Sequence, residues 1–198
     1  MPHPVEGIGI IISILKNIVK KISKGNPLKL RFGGFILTLI VVFFTASACW
    51  LVEQIALNHI RINQDIGNFL LLIGLTSSIA TKSLIHSTQD VLNALATNNH
   101  QDLFMARQKL SQIVGRDVNN LEEPEIIRAL AETTSENSVD GIFAPLFWMF
   151  IGANLWQLSL YSPGPLTMVF IYKASSTLDS MIGYKVKELR WLGTAGAI

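Results

Sequence analysis

The chain has 198 residues, 49% of them hydrophobic and only 15% charged, with a mean hydropathy of +0.40 and a net charge of +2. Soluble domains carry roughly 25% charged residues, so this composition excludes an ordinary soluble domain and points to a membrane protein with a modest aqueous part. The one cysteine, Cys49, lies inside an apolar run, which excludes an internal disulfide.

The opening MPHPVEGIG has two prolines and an acid where a basic n-region would stand, so it is not expected to be a signal peptide. From residue 5 to 22, Ile8, Ile11, Ile12, Leu15, Ile18, Val19 and Ile22 recur at helical spacing, with Lys16 and Lys20 off that face. This amphipathic helix is expected to lie at the membrane surface or to pack on a bundle. GNP at 25–27 should break it. Residues 33–52 are uncharged over 20 positions, the length that crosses a bilayer core of about 30 Å. Residues 66–81 are a shorter uncharged run, read as the return helix, and the stretch from Glu53 to Asp65 as the loop between them. Six basic residues precede the first span and Arg61 alone follows it, so the positive-inside rule predicts a cytoplasmic N-terminus.

Residues 82–141 hold five Lys/Arg against nine Asp/Glu and read as a polar helical insert. Within it Leu103, Ala106, Leu110, Ile113 and Val114 keep a helical period, and Gly115 is read as the stop. Pro124 suits a first helical turn, and Glu122, Glu123 and Glu125 suit its electrostatics. From 142 to 172 the chain is uncharged for 31 residues, interrupted by Pro145 and by SPGP at 162–165. This predicts a helix over about 143–160, a break, and a helix over about 166–185. The expected architecture is an all-α, polytopic membrane protein in four segments: 1–32, 33–81, 82–141 and 142–198.

Two constellations carry chemistry. Glu132, Glu136 and Asp140 stand four residues apart directly before the apolar run, with Asn137 among them. Like charges at that spacing repel, so a positive group is expected to offset them; Arg128 offers part of it. Carboxylates with an amide nearby suit Mg²⁺, which takes one or two carboxylates plus phosphate oxygens. The plain alternative is a solvated acidic helix end. In the second constellation Lys173, Thr177, Ser180 and Tyr184 form one polar stripe, with Asp179 on another side. Charges inside an apolar helix should face a cavity or a partner. Lys173 would hold phosphate or carboxylate as a point charge, and Asp179 would hold a metal or take a proton from an amine. The alternative is an interfacial helix whose Lys173 snorkels. His3, His59, His86 and His100 show no metal-ligand spacing and read as structural. No GxxxxGK[ST] loop occurs. The basic N-terminal run lacks interleaved aromatics, so nucleic acid is not an expected partner and anionic lipid is.

Taken in order, these motifs carry a resemblance: Pro2-His3-Pro4-Val5 with Gly9; Lys82-Ser83-Leu84; Ile113 to Asp117; Glu132-Thr133, Glu136-Asn137-Ser138 and Asp140-Gly141; Ala144 to Phe147; Tyr172-Lys173 and Thr177 to Met181 with Gly183-Tyr184. Together the chain resembles the CbiB/CobD family of cobalamin biosynthesis, without the family's usual start and last third, and with Ser176 where members usually carry Asn. The resemblance implies a multi-pass enzyme of the inner cell membrane that joins a corrinoid, adenosylcobyric acid, to aminopropanol or its phosphate in an amide bond. Such a ligation needs an activated carboxylate, so ATP and Mg²⁺ are expected. The roles implied are metal ligation by Glu132, Glu136 and Asp140; catalysis by Glu136, Lys173 and Asp179; and substrate binding by Asn137, Thr177, Ser180 and Tyr184. Partners implied are the corrinoid, the amine, the lipid bilayer and other corrin-pathway membrane proteins. Two readings from other classes stay open: a non-catalytic membrane interaction protein, and a small transporter.

Overall fold

The structure is a computed structural model that describes residues 4–60, 63–96, 100–183 and 189–195. Among these the secondary structure is entirely helical, as expected. The chain divides into two compact units, residues 1–78 with 145–198, and residues 79–144.

In the first unit, helix α1 (Pro4–Ser23) turns through Lys24 and Gly25, both at positive φ, into α2 (Pro27–Ala56). The GNP break works through chemistry at each position. Gly25 takes the left-handed conformation cheaply. The Asn26 Oδ1 accepts the Leu28 and Lys29 N–H groups at 3.0 and 3.3 Å, and Pro27 begins the helix where no N–H is needed. Helix α1 packs on α2 and on α8 rather than standing apart. Its late residues lie beside the start of α2, and Gly7 and Ile8 beside Ala48 and Cys49, so α1 and α2 run antiparallel. The basic residues therefore gather around the α1–α2 turn.

Helix α2 is 30 residues long, roughly 45 Å at 1.5 Å per residue, and outreaches the expected 33–52 at both ends. The C-terminal extension is a correction: Glu53, read from sequence as the first residue of a loop, belongs to α2 and is fully buried. Helix α3 (Gln64–Ser77) packs against α2 and α8. Helix α7 (Ala144–Leu158) and helix α8 (Pro165–Ile182) flank the SPGP break, close to the predicted limits. Leu166, Phe170, Ala174, Leu178 and Ile182 recur every fourth residue and are buried with Ile8, Ile12, Leu37, Val41 and Leu192 in the core of this unit. The short α9 (Leu189–Leu192) follows, where Arg31 and Arg190 each lie 5.4 Å from the centroid of the Trp191 ring.

In the second unit, α4 (Thr81–Leu95), α5 (His100–Leu110) and α6 (Glu123–Ser138) close on a small core of Val91, Ala106, Leu110, Val118, Ile126, Ala129 and Leu130. Helix α5 ends at Leu110, five residues before the glycine read as its stop. The chain turns at once there, the Ser111 N–H bonding the Arg107 carbonyl and the Val114 N–H that of Leu110. The start of α6 follows expectation, with Pro124 in its first turn and the Glu125 carboxylate accepting the Glu122 N–H at 2.9 Å.

Among the described residues three helical stretches are long and apolar enough to cross a membrane: Pro27–Ala56, Gln64–Leu95 and Glu123–Leu158. The chain is thus consistent with a polytopic membrane protein.

Candidate functional site

In the second unit the acidic motif leaves regular helix. After α6 the backbone widens into a π-turn, Val139–Phe143, in which the Ala144 N–H reaches back to the Val139 carbonyl. Single π-turns inserted between α-helical stretches are frequent at functional sites. Asp140 lies within it, and the Gly141 carbonyl, turned out of the α ladder, accepts the Ala80 N–H at 2.9 Å.

Positive charge that offsets the acids is present, and it comes from arginines. Glu132 receives Arg128 Nε at 3.1 Å from one turn before and Arg116 at 3.1 Å from the connection ahead of α6. The Arg116 contribution lies 16 residues away in sequence, beyond helical spacing. Glu136, Asn137 and Asp140 are exposed. Among the described residues no group of three His, Cys, Asp or Glu side chains gathers to hold a metal ion. A cage of three carboxylates is therefore not what these side chains form, and Glu132 is already committed to two guanidinium groups.

In the first unit, Lys173, Thr177 and Asp179 are half-buried on α8 and Ser180 is exposed. The Thr177 hydroxyl donates to the Lys173 carbonyl at 2.7 Å and the Ser180 hydroxyl to the Ser176 carbonyl at 2.9 Å. Both hydroxyls thus point back along their own helix, each with an oxygen still able to accept. Asp179 sits at the end of α8, where the Gly183 N–H bonds its carbonyl at 2.8 Å. A Cβ at Gly183 would overlap the Asp179 carboxylate, so only glycine leaves that carboxylate its place. Tyr184, the last member of the expected stripe, lies outside the described residues.

The strongest polar feature of this unit was not among the expected site residues. Glu53, in the last turn of α2, caps the first turn of α8. Its carboxylate accepts the Gly164 N–H at 2.9 Å, the Thr167 N–H at 3.0 Å and the Thr167 hydroxyl at 2.6 Å. A carboxylate at a helix N-terminus meets both unpaired N–H groups and the positive end of the dipole. Around it, Gln54 Nε2 donates to the Leu160 carbonyl at 3.2 Å, and Gln54 Oε1 pairs with His59 Nδ1 at 2.8 Å. The His59 ring stacks on Tyr161, and Trp50 Nε1 donates to the Tyr161 carbonyl at 3.0 Å. His59 thereby has the structural role expected of it. The sequence signal for Glu53 was an acid ending an apolar run, in a chain that later breaks a second apolar run with SPGP.

A family model described as CobD/Cbib protein matches residues 1–198. The chain is 39% identical over 196 residues to a protein of Salmonella typhimurium named cobalamin biosynthesis protein CbiB, covering 99% of this chain and 56% of that one. It is 37% identical over 192 residues to a Synechocystis protein named cobalamin biosynthesis protein CobD, covering 96% of this chain and 52% of the relative. A Citrobacter koseri protein named cobalamin biosynthesis protein CobD is 37% identical over 196 residues, covering 99% and 56%. The chain thus spans about half the length of the curated relatives it matches. No solved structure matches it.

Proposed function

This chain belongs to the CobD/CbiB family, and on that premise we propose that it acts in cobalamin biosynthesis as a membrane-embedded amide ligase. The substrates proposed are a corrinoid carboxylic acid, adenosylcobyric acid, and aminopropanol or its phosphate. The observation that carries the reading is the family match along the whole chain, at 39% identity over 196 residues to the Salmonella relative. The placement proposed is the inner cell membrane, with the basic α1–α2 turn on the cytoplasmic side.

A carboxylate and an amine do not condense in water at neutral pH without activation, so a phosphorylating nucleotide and Mg²⁺ belong to the proposal. When bound, they would supply an activated acyl group and charge neutralisation. Since the three acids do not gather among the described residues, the metal would be held by one or two carboxylates and by phosphate oxygens. Glu136 and Asp140 are the acids proposed, with Glu132 as an anchor for Arg116 and Arg128. Asn137, with both a donor and an acceptor on its amide, is proposed to bind substrate beside them. Lys173 is proposed to bind the phosphate or carboxylate of a substrate as a point charge. Asp179 is proposed to take the proton that the amine sheds on forming the amide. Thr177 and Ser180 would contribute accepting oxygens along α8, and Tyr184 is proposed as a further substrate-binding residue.

The test is growth. A strain that cannot convert cobyric acid to its amide, but grows when given the amide product, is supplied with this chain. Growth on cobyric acid is expected, and Asp179→Asn should slow ligation in membranes about 100-fold, the scale of a lost general base. Glu136→Gln should slow it too and raise the Mg²⁺ concentration needed. Full ligation by both variants would overturn the residue roles. Growth restored by the longer Salmonella relative but never by this chain would overturn the catalytic reading and favour a non-catalytic partner of other corrin-pathway membrane proteins.

A further inference from the structure

The α1–α2 hairpin carries a groove that the ligase reading does not use. It is a half-open cleft of about 430 Å³, within the range of about 300–1,000 Å³ typical of small-molecule sites. Its walls are Leu15, Ile18 and Ile22 from α1 and Phe32, Ile36 and Ile40 from α2. The spacing of three and four on one helix and of four on the other makes each wall a single helical stripe. Ile18, Ile22, Phe32 and Ile36 are 47%, 69%, 68% and 40% exposed, so apolar surface stands open along its length. Lys29 is the one charged residue in its lining and stands at the end where α1 turns into α2.

That end is strongly basic. Lys21, Lys24 and Lys29 are exposed around the turn. The acids of α1 and α2 are Glu6 in the first turn of α1 and Glu53 in the last turn of α2, at the far ends of both helices. Glu6 and Lys20 are fourteen positions apart, roughly 21 Å at 1.5 Å per residue, beyond a Debye length of about 8 Å in physiological salt. An apolar channel that ends in a field of one sign fits a molecule with an anionic head and a hydrocarbon tail. A second groove, between α1 and the later part of α2, has no charged residue in its lining, and no comparable argument applies to it.

The geometry points to a specific site for an anionic phospholipid on this hairpin, with the phosphate at Lys24 and Lys29 and one acyl chain along the groove from Phe32 to Ile40. The site is distinct from generic contact with a bilayer, because it requires the turn lysines and the channel together. The probe is phosphatidylglycerol, measured by native mass spectrometry on the delipidated full chain in detergent, against phosphatidylcholine of the same acyl composition. Phosphatidylglycerol should be retained at energies that strip phosphatidylcholine. Each lysine near the surface is worth about fivefold in affinity for anionic lipid, so Lys24→Glu with Lys29→Glu should lower retention at least about 25-fold. Ile36→Trp keeps every charge but fills the channel, and should also abolish selective retention; Ile18→Trp does the same from the other wall if the first variant is not monodisperse. Equal retention of the two lipids would overturn the site. So would full retention by the lysine variant or by both tryptophan variants. Displacement of phosphatidylglycerol by inorganic phosphate would reassign the lysines to a free-phosphate site and overturn the lipid assignment.

Discussion

Two glutamates of this chain, Glu53 and Glu132, solve the same problem in opposite ways. Glu53 ends an apolar run, where a bare carboxylate is costly, and Glu132 stands four residues from Glu136, where like charges repel. Glu53 is fully buried and is satisfied by neutral donors: two backbone N–H groups and a hydroxyl, all from the start of α8. Glu132 is satisfied by two full charges, with its side chain 51% exposed and those of Arg116 and Arg128 55% and 82% exposed. The difference teaches where the fold is anchored. A hydrogen bond in a dry site is expensive to leave unmade, whereas an ion pair in water is screened and contributes little. The residue that looks less charged in its surroundings is therefore the one that holds the structure.

The sharpest way to break this comparison is Glu53→Ala. It leaves three donors at the start of α8 without an acceptor, each at a cost of about 1–3 kcal/mol when buried, offset in part as donors in a membrane setting find other partners. The expected loss is about 3 kcal/mol, seen as a fall of roughly 5–10 °C in the unfolding midpoint in detergent. Glu53→Gln preserves the shape and one accepting oxygen and should lose less than half as much. If alanine and glutamine variants melt together with the parent, the cap is incidental and the break between α7 and α8 is held by something else.

Gly164→Ala tests the same corner by shape instead of charge. A Cβ there would overlap the Trp156 ring, and overpacking of a tight contact costs about 1–3 kcal/mol. The midpoint should fall by less than for Glu53→Ala. Because the cap donor is the Gly164 N–H itself, Glu53→Ala with Gly164→Ala should cost less than the two singles added together. Strict additivity would mean that the glycine and the carboxylate act independently.

The same pair shows what could be read before the structure. The apolar runs, the GNP and SPGP breaks and the two-turn periodicities gave helix positions within a few residues, because burial period and turn chemistry are local properties. Glu132 could be half-read: Arg128 is its neighbour at helical spacing, but Arg116 comes through the connection ahead of α6 and no local rule points to it. Glu53 could not be placed, because its partners lie more than a hundred positions away, at Gly164 and Thr167. From sequence an acid at the end of an apolar run reads as the first residue of a loop. Only the packing of α8 against α2 turns that acid into a helix cap. The acidic stripe shows the same limit at closer range, since Glu132, Glu136 and Asp140 do not gather as a group of three among the described residues. Spacing puts side chains on one face of a helix, but it does not show that a nearby arginine has already taken one of them.

The smallest expected effect is at Glu132, and its smallness is informative. Glu132→Gln removes both ion pairs at once, yet exposed pairs are worth about 0.5 kcal/mol each, so the midpoint should shift by no more than about 4 °C. The pairs are screened beyond a Debye length of about 8 Å at 0.15 M salt, so whatever shift appears should shrink as salt is raised, while the loss at Glu53→Ala should not. Arg116→Ala with Glu132→Gln should be no worse than Glu132→Gln alone, since each deletes the same contact. A large, salt-insensitive loss at Glu132 would mean that the acidic face of α6 is covered in the working protein, and the contrast with Glu53 would then disappear.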